Sequence, residues 1–257
     1  MRFQLILFIF SCSIYSQNVL YIEKVESITY ENTKKLICID NLGNKFYLGD
    51  NELFKGENLK FSDKSLGKIS KVDLYNSLKI KLWYNDFNTL IILDNYLNEI
   101  KRINFDNLDN LSDISNISTA NDNFIWVYDE ISMKIKKFDY LKNLYVDGIE
   151  TPLDENVIDL ESNYNFLWVL TSNYFIKLNY NGSVVFKIPN NKFNKINLFK
   201  NNIILNSNLD LVYFNNDNKS FSKIKSEKLF IKDFFVINET LYIYDKDHLN
   251  KYLILSY

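Results

Sequence analysis

Runs of successive apolar residues, most of them closed by Asp, Asn or Thr, punctuate the polar background of this chain. They read TLIILD at Thr89–Asp94, FIWVYD at Phe124–Asp129, FLWVLT at Phe166–Thr171, NIILN at Asn202–Asn206 and TLYIYD at Thr240–Asp245. KLICID at Lys35–Asp40 reads as a first, more diverged copy. The last five copies end between 35 and 42 residues apart. Side chains alternate between the two faces of a strand, so an unbroken apolar run predicts a strand buried on both faces. Around each run the pattern changes. A shorter entry strand precedes it, at Ile114–Ser118, Val157–Leu160, Lys195–Phe199 and Phe234–Ile237. A third strand of mixed character follows, at Glu99–Phe105, Met133–Phe138, Tyr174–Leu178, Asp210–Phe214 and Leu249–Leu255.

A strand-built unit repeating near this length is the sequence form of a propeller blade. The fold class predicted is therefore all-β, a single β-propeller of about six blades, with five to seven compatible with the spacing. The first two copies stand 54 residues apart, which predicts an insertion or an irregular blade between them. Leu78–Tyr84 is a good strand in that interval, and Phe54–Ser65 reads as an outer strand plus loop. Trp126, Trp168 and Tyr242 fall mid-run, where neighbouring blades would bury them as structural aromatics. The last unit has only three strands before the sequence ends, and Val19–Lys24 is strand-like with no unit of its own. Pairing Val19–Lys24 beside Leu249–Leu255 would complete the last blade, close the ring and cover an edge.

Composition agrees with strands. Ala120 is the only alanine, Gln4 and Gln17 the only glutamines, and Arg2 and Arg102 the only arginines, so good helix formers are scarce. Asparagine is abundant while glycine numbers six, which predicts Asn as the turn residue, since it tolerates positive φ. The net charge of −2 is spread along the chain with no basic stripe, so nucleic acid is not an expected partner.

The amino terminus, MRFQLILFIFSCSIYS, places Arg2 before an apolar run at Leu5–Phe10 and a small residue at Ser16. This predicts a secretory signal peptide over residues 1–16 and a propeller over 17–257. The run is too short to span a bilayer, which takes roughly 20 residues. Cys12, in Ile9-Phe10-Ser11-Cys12, is a candidate lipidation site. After cleavage at Ser16 only Cys38 remains, inside a predicted central strand, as an apolar filler.

The IWVYD run followed by KIKKFDY, and Gly182 in Asn179-Tyr180-Asn181-Gly182, resemble the hairpins of bacterial secreted β-propellers of the NHL and six-bladed type. The likeness is one of repeats and covers nearly all of residues 17–257. It implies a rigid disc whose function lies on its loops. Some such propellers are calcium-dependent lactonases or esterases, with Glu, Asn and Asp around the central channel.

The residues themselves offer little chemistry. His248 is the one histidine and falls in a predicted turn, so zinc and Ser-His-Asp arrangements have no support. There is no glycine-rich phosphate loop, and no cofactor is expected. Asp106-Asn107-Leu108-Asp109-Asn110-Leu111-Ser112-Asp113 superficially resembles a calcium loop but lacks its Gly and terminal Glu, so no metal site is expected. These observations favour a non-enzymatic binding or scaffold protein of the bacterial cell envelope, a subunit of a periplasmic or outer-membrane assembly with protein partners. The rival readings are a calcium-dependent propeller hydrolase and a carbohydrate-binding or sensor propeller. The terminus yields the first test. Intact mass of the protein from native envelopes should lack Met1–Ser16. A mass that includes them would end the secreted reading, and an acylated Cys12 would replace it with a lipoprotein.

Overall fold

The computed structural model describes residues 20–30, 34–40, 42–108, 111–207, 210–224 and 230–255. The predicted signal peptide and Cys12 lie outside them. The chain begins with strand β1 (Tyr21–Thr29), then builds blade 1 from β2 (Lys35–Ile39), β3 (Lys45–Leu48), β4 (Glu52–Lys55) and β5 (Leu59–Ser62). Blade 2 follows with β6 (Lys71–Asp73), β7 (Ile80–Tyr84), β8 (Thr89–Leu93) and β9 (Glu99–Asn104). Blade 3 holds β10 (Ile114–Thr119), β11 (Phe124–Asp129), β12 (Lys134–Asp139) and β13 (Leu144–Pro152). Blade 4 holds β14 (Val157–Ser162), β15 (Phe166–Thr171), β16 (Tyr174–Asn179) and β17 (Val184–Pro189). Blade 5 holds β18 (Lys195–Phe199), β19 (Asn202–Asn206), β20 (Leu211–Asn215) and β21 (Ser220–Lys223). Blade 6 takes β22 (Asp233–Ile237), β23 (Thr240–Tyr244) and β24 (His248–Leu255), and its fourth strand is β1. The described residues thus form six four-stranded antiparallel sheets, a six-bladed β-propeller.

The apolar runs are explained by where alternate side chains go. On β11, Ile125 and Val127 enter the cluster shared with blade 2, while Trp126 and Tyr128 enter the cluster shared with blade 4. On β15, Leu167 and Val169 face back to blade 3, and Trp168 and Leu170 face forward to blade 5. On β23, Leu241 and Ile243 face blade 5, and Tyr242 and Tyr244 face blade 1. Each gap between neighbouring blades therefore has its own apolar cluster. Trp126, Trp168 and Tyr242 face forward from the second strand, and so does Trp83 on β7.

In blades 3 and 4 the strand after the run also carries a buried lysine. Lys137 stands opposite Trp126 and Lys177 opposite Trp168 in the hairpin register. Their ammonium groups lie 5.4 and 5.1 Å from the indole centroids. A buried cation is thus held over an aromatic face, with its stem packed along the strand.

Four expectations about the first two blades are corrected. TLIILD is the third strand of its blade, not the second, and KLICID is an innermost strand. The second strands of blades 1 and 2 are β3 and β7, so the wide interval needs no insertion. Glu99–Phe105 correspondingly contains the outermost strand β9, and Phe54–Ser65 contains two strands where one was expected. The second and third strands are both sandwiched, and β7 and β8 are buried at every residue, so an apolar run cannot tell them apart.

Asparagine and aspartate do serve the turns, mostly through their side chains. Asp94 Oδ1 accepts the backbone N–H groups of Tyr96 and Asn98, both at 2.8 Å. Asp40, Asp139, Asn163, Asn179, Asn215 and Asp245 each accept an N–H two residues on in the same way. This Asx geometry closes the hairpins and accounts for the Asp or Asn that ends a run. Positive φ is shared more widely than expected, with Leu97, Met133, Lys192, Lys200 and Lys219 adopting it beside Asn88, Asn143 and Asn238.

β1 pairs with β24 from Tyr21↔Leu255 to Thr29↔His248, interrupted by a bulge between Lys24 and Glu26. This is the predicted closure, extended five residues beyond Lys24 to Thr29. Leu20, just ahead of the strand, is buried in the cluster between blades 5 and 6 with Phe199, Tyr213 and Ile254. Leu20→Ala should therefore cost about 2–4 kcal/mol in urea denaturation, as a core truncation does. A variant as stable as the parent would show that the terminal strand does not hold the ring shut.

Candidate functional site

The first strand of every blade lines the central channel. Antiparallel pairing then fixes two faces. The upper face carries the turns between second and third strands and the blade-to-blade connections. The lower face carries the turns between first and second and between third and fourth strands. The channel opens upward into a cavity of about 450 Å³.

Its walls are charged, and the charges come from the inner strands, all but Glu161 from their upper halves. Lys35 comes from β2, Asp159 and Glu161 from β14, Lys195 from β18, Asp233 from β22 and Lys71 from β6. Asp233 accepts from Lys35 through one oxygen and from Lys195 through the other, tying blades 1, 5 and 6 together. Asp159 Oδ2 accepts the Ile196 N–H at 2.9 Å, joining blades 4 and 5. Lys71 donates to the Leu160 carbonyl and stands 3.8 Å from Asp159 and 3.9 Å from Glu161. That contact joins blade 2 to blade 4 across the inner end of blade 3. Blade 3 itself offers only Ser115 and Asn116 to the cavity.

The enclosure shifts these groups. The Glu161 side chain is 29 % exposed, and that exposure is to the channel. Desolvation is the largest influence on it and pushes its carboxyl up to about 7, against the opposing pull of Lys71. Burial lowers Lys195, with Asp159 and Glu161 resisting. Burial, with the ammonium groups of Lys195 and Lys232, presses Lys35 down to about 8. Burial would also lower Lys71, but the fields of Glu161, Asp159 and Asp73 outweigh it and hold the ammonium above its ordinary value.

Below the cavity a buried polar relay locks three blades. Asp73 accepts the Thr119 N–H at 2.6 Å and the Thr119 hydroxyl at 2.9 Å. Lys81 donates to Thr119 Oγ1 at 2.7 Å, and Ser118 and Ser162 share a hydrogen bond of 2.7 Å. The lower mouth is narrowed by Tyr75 and Tyr164, whose rings meet edge to face with centroids 4.9 Å apart. Asn76 Nδ2 donates to the Tyr164 hydroxyl at 3.3 Å.

The lower face outside that mouth carries exposed apolar side chains on its turns: Leu42, Leu78, Tyr96, Leu141 and Tyr180. Lysines of one blade anchor the outer turns of the next. Lys55 donates to Asn95 O, Lys101 to Leu141 O and Lys137 to Tyr180 O, at 2.9, 2.9 and 3.0 Å. Phe87, Leu111, Ile131 and Phe230 are exposed on the upper face.

The aromatics singled out in the sequence stand apart from the channel. Trp126 and Trp168 are buried between blades, and Tyr242 stacks on Phe235 with centroids 4.7 Å apart. His248 begins β24 with its Nδ1 3.6 Å from Asp245, and it does not line the channel. Cys38 is a free thiol at the lower end of the channel, and burial pushes it up to about 11. In the candidate calcium loop, Asp106 accepts from Asn88 and the Asp113 N–H donates to Asp129, while Asp109 and Asn110 lie outside the described residues. Among the described residues no group of three or more His, Cys, Asp or Glu has the arrangement to hold a metal ion. The channel lysines were missed in the sequence. Aligning the entry strands of the repeats would have shown a polar or charged residue at each upper end.

No family model and no curated protein matches the chain. Among solved structures it is similar to virginiamycin B lyase from Staphylococcus aureus, with a TM-score of 0.62 and 13% identity over 85% of this chain and 79% of that one. It is similar to the extracellular domain of BT4673 from B. thetaiotaomicron, with a TM-score of 0.61 and 11% identity over 87% of this chain and 34% of that one. The WD40 domain of Neurospora crassa Pan2 gives a TM-score of 0.59 and 10% identity over 85% and 74%. These likenesses confirm the propeller, and their different roles leave function to the residues of this chain.

The raised Glu161 fixes a sign for stability against pH. A carboxyl whose folded value lies above its unfolded 4.5 contributes stability fully present below pH 4.5 and lost as the pH rises through about 7. The urea midpoint should fall across that window in the parent, and the fall should shrink in Glu161→Gln. Identical profiles for the two proteins would show that Glu161 does not titrate there.

Proposed function

We propose that this chain is a non-enzymatic binding propeller, exported to the bacterial cell envelope, which serves as a scaffold subunit through its lower face. The observation that carries this reading is the set of exposed apolar side chains on anchored turns of that face. Leu78 and Tyr96 are each 65% exposed, and the turn beside Tyr96 is fastened to the neighbouring blade by Lys55. Apolar side chains on lower-face turns that lysines of the neighbouring blade already hold in place favour a protein partner, because little conformational entropy remains to be lost. Among the described residues no helix is long and apolar enough to cross a membrane. Membrane association would then run through a partner or through lipidation of Cys12.

The rival readings draw less support. The channel carboxylates lie among ammonium groups of this chain, which already occupy the places where a cation would bind. Another similar structure is a catalytically inactive histidine-to-alanine variant of virginiamycin B lyase. Here the one histidine lies off the channel. A sugar platform would favour parallel exposed rings, whereas Tyr75 and Tyr164 meet at 82°.

The test is the size and composition of the native complex. Tagged parent, gently solubilised from envelopes, should run as a stoichiometric assembly. The double variant Leu78→Asp, Leu141→Asp should run as a free folded monomer with an unchanged melting temperature. A parent that is itself monomeric in native envelopes, or a variant that keeps the assembly, would overturn the proposal.

A further inference from the structure

The charges at the axis are interleaved rather than sorted. Asp233 of blade 6 accepts from Lys35 of blade 1 and from Lys195 of blade 5. Lys71 of blade 2 reaches across to blade 4, where it donates to the Leu160 carbonyl and faces Asp159 and Glu161. Three ammonium groups thus meet three carboxyl groups, and each stands beside its opposite. A charged ligand would have to break one of these pairs and leave a partly buried charge alone, which is costly. A neutral ligand would not.

Two of the contacts stop short of hydrogen bonding. Lys71 Nζ stands 3.8 Å from Asp159 Oδ1 and 3.9 Å from Glu161 Oε1. Its ammonium has three protons, and the Leu160 carbonyl takes one. Glu161 accepts no hydrogen bond among the described residues, and its carboxyl is raised by burial to about 7. An oxygen set about 2.8 Å from both ends of either gap would accept from Lys71 and hydrogen-bond the acid. A hydroxyl does this with one atom, and it suits Glu161 in either form, donating to the carboxylate or accepting from the acid. Two hydroxyls on adjacent carbons would fill both gaps from the one lysine. The cavity of about 450 Å³ is of the size that small-molecule sites have.

We propose that the upper channel is a binding site for a small neutral sugar, held by two adjacent hydroxyl groups that bridge Lys71 to Asp159 and Glu161. Ile37 and Val72 offer apolar surface to the C–H groups of the ring, and Ser115 and Asn116 offer neutral partners to its other hydroxyls. The grip is by hydrogen bonds at the axis, without a stacking platform, so the site takes one free sugar rather than a polymer. It opens on the upper face and uses neither the lower face nor a protein partner, so it stands or falls apart from the scaffold reading.

Isothermal titration of the full chain with D-glucose, D-galactose, D-mannose, D-xylose, L-arabinose and N-acetylglucosamine tests it. The tightest binder is then compared with its deoxy analogues, each lacking one hydroxyl, and with glucuronate and glucosamine. Binding at one site per chain is expected. The analogues that lack either bridging hydroxyl should bind more weakly by roughly tenfold or more, since each loses charge-assisted hydrogen bonds. Glucuronate and glucosamine, each with a net charge, should also bind more weakly than the neutral sugar. Lys71→Met should weaken the sugar as a lost hydroxyl does, and Lys223→Met on the outer strand β21 should leave it unchanged. The analogue comparison is made on the unaltered protein, so it holds even if Lys71→Met fails to fold. No binding by any sugar of the panel would overturn the proposal. So would deoxy analogues that all bind like the parent sugar, a charged sugar that binds as tightly as the neutral one, or a folded Lys71→Met that binds as the parent does.

Discussion

Everything in this molecule depends on burying both faces of every blade. A single four-stranded sheet with apolar residues on both sides has no stable existence in water, because each face needs another sheet against it. The ring meets that need by giving each blade two neighbours. The parity of the strands does the sorting, with odd and even positions of β11 serving two different gaps. The core is consequently six separate interfaces rather than one centre, and each interface is as important as the next. That is why β1 matters beyond its own pairing. Without it β24 would present an open edge, and the gap between blades 5 and 6 would lose Leu20 and Ile22.

The same geometry makes the axis polar. The innermost strands converge, so side chains directed at the axis meet one another rather than a neighbouring sheet. Charges placed there are partly cut off from bulk water and must find partners among themselves, because an unpaired charge in such a place is expensive. Asp233 between Lys35 and Lys195, and Lys71 between Leu160 and the acids of blade 4, are the result. These contacts join blades 1, 5 and 6, and blade 2 to blade 4. They act as cross-braces where the apolar interfaces are narrowest.

Much of this was legible in the sequence and some was not, for physical reasons. Continuous runs such as FIWVYD disclose sandwiched strands because double-sided burial leaves no polar position. They also explain the error at TLIILD, since β7 and β8 are equally enclosed and the burial pattern is the same. The Asp that closes a run was visible as a residue, but its role as an acceptor for two N–H groups was not, because that depends on the turn geometry. The channel was not evident from any single strand. Lys35, Lys71 and Lys195 are ordinary strand-initial lysines in the sequence, and only the closure of the ring brings them to one cavity. The short entry strand of blade 2, Lys71–Asp73, escaped notice for a related reason. Three residues with a lysine and an aspartate have no apolar run to mark them.

The rigidity that the gaps impose also assigns different work to the two faces. Turns on the lower face are tied to the preceding blade by lysine-to-carbonyl bonds, so Leu141 and Tyr180 are offered in fixed positions. The upper face holds the open mouth of the channel, and its inner wall is set by backbone that the blades already fix. A ligand entering there would meet Lys71 and Glu161 without any blade having to move. A partner on the lower face would meet the Tyr75–Tyr164 pair, which narrows the other end of the same axis. Residues 71–75 link the two, running from Lys71 in the cavity through Asp73 in the Thr119 relay to Tyr75 at the lower mouth. Any displacement of Lys71 by a ligand would therefore be felt first at Asp73, whose two bonds to Thr119 resist it. The axis is better suited to hold the disc in one shape than to carry a signal from one face to the other.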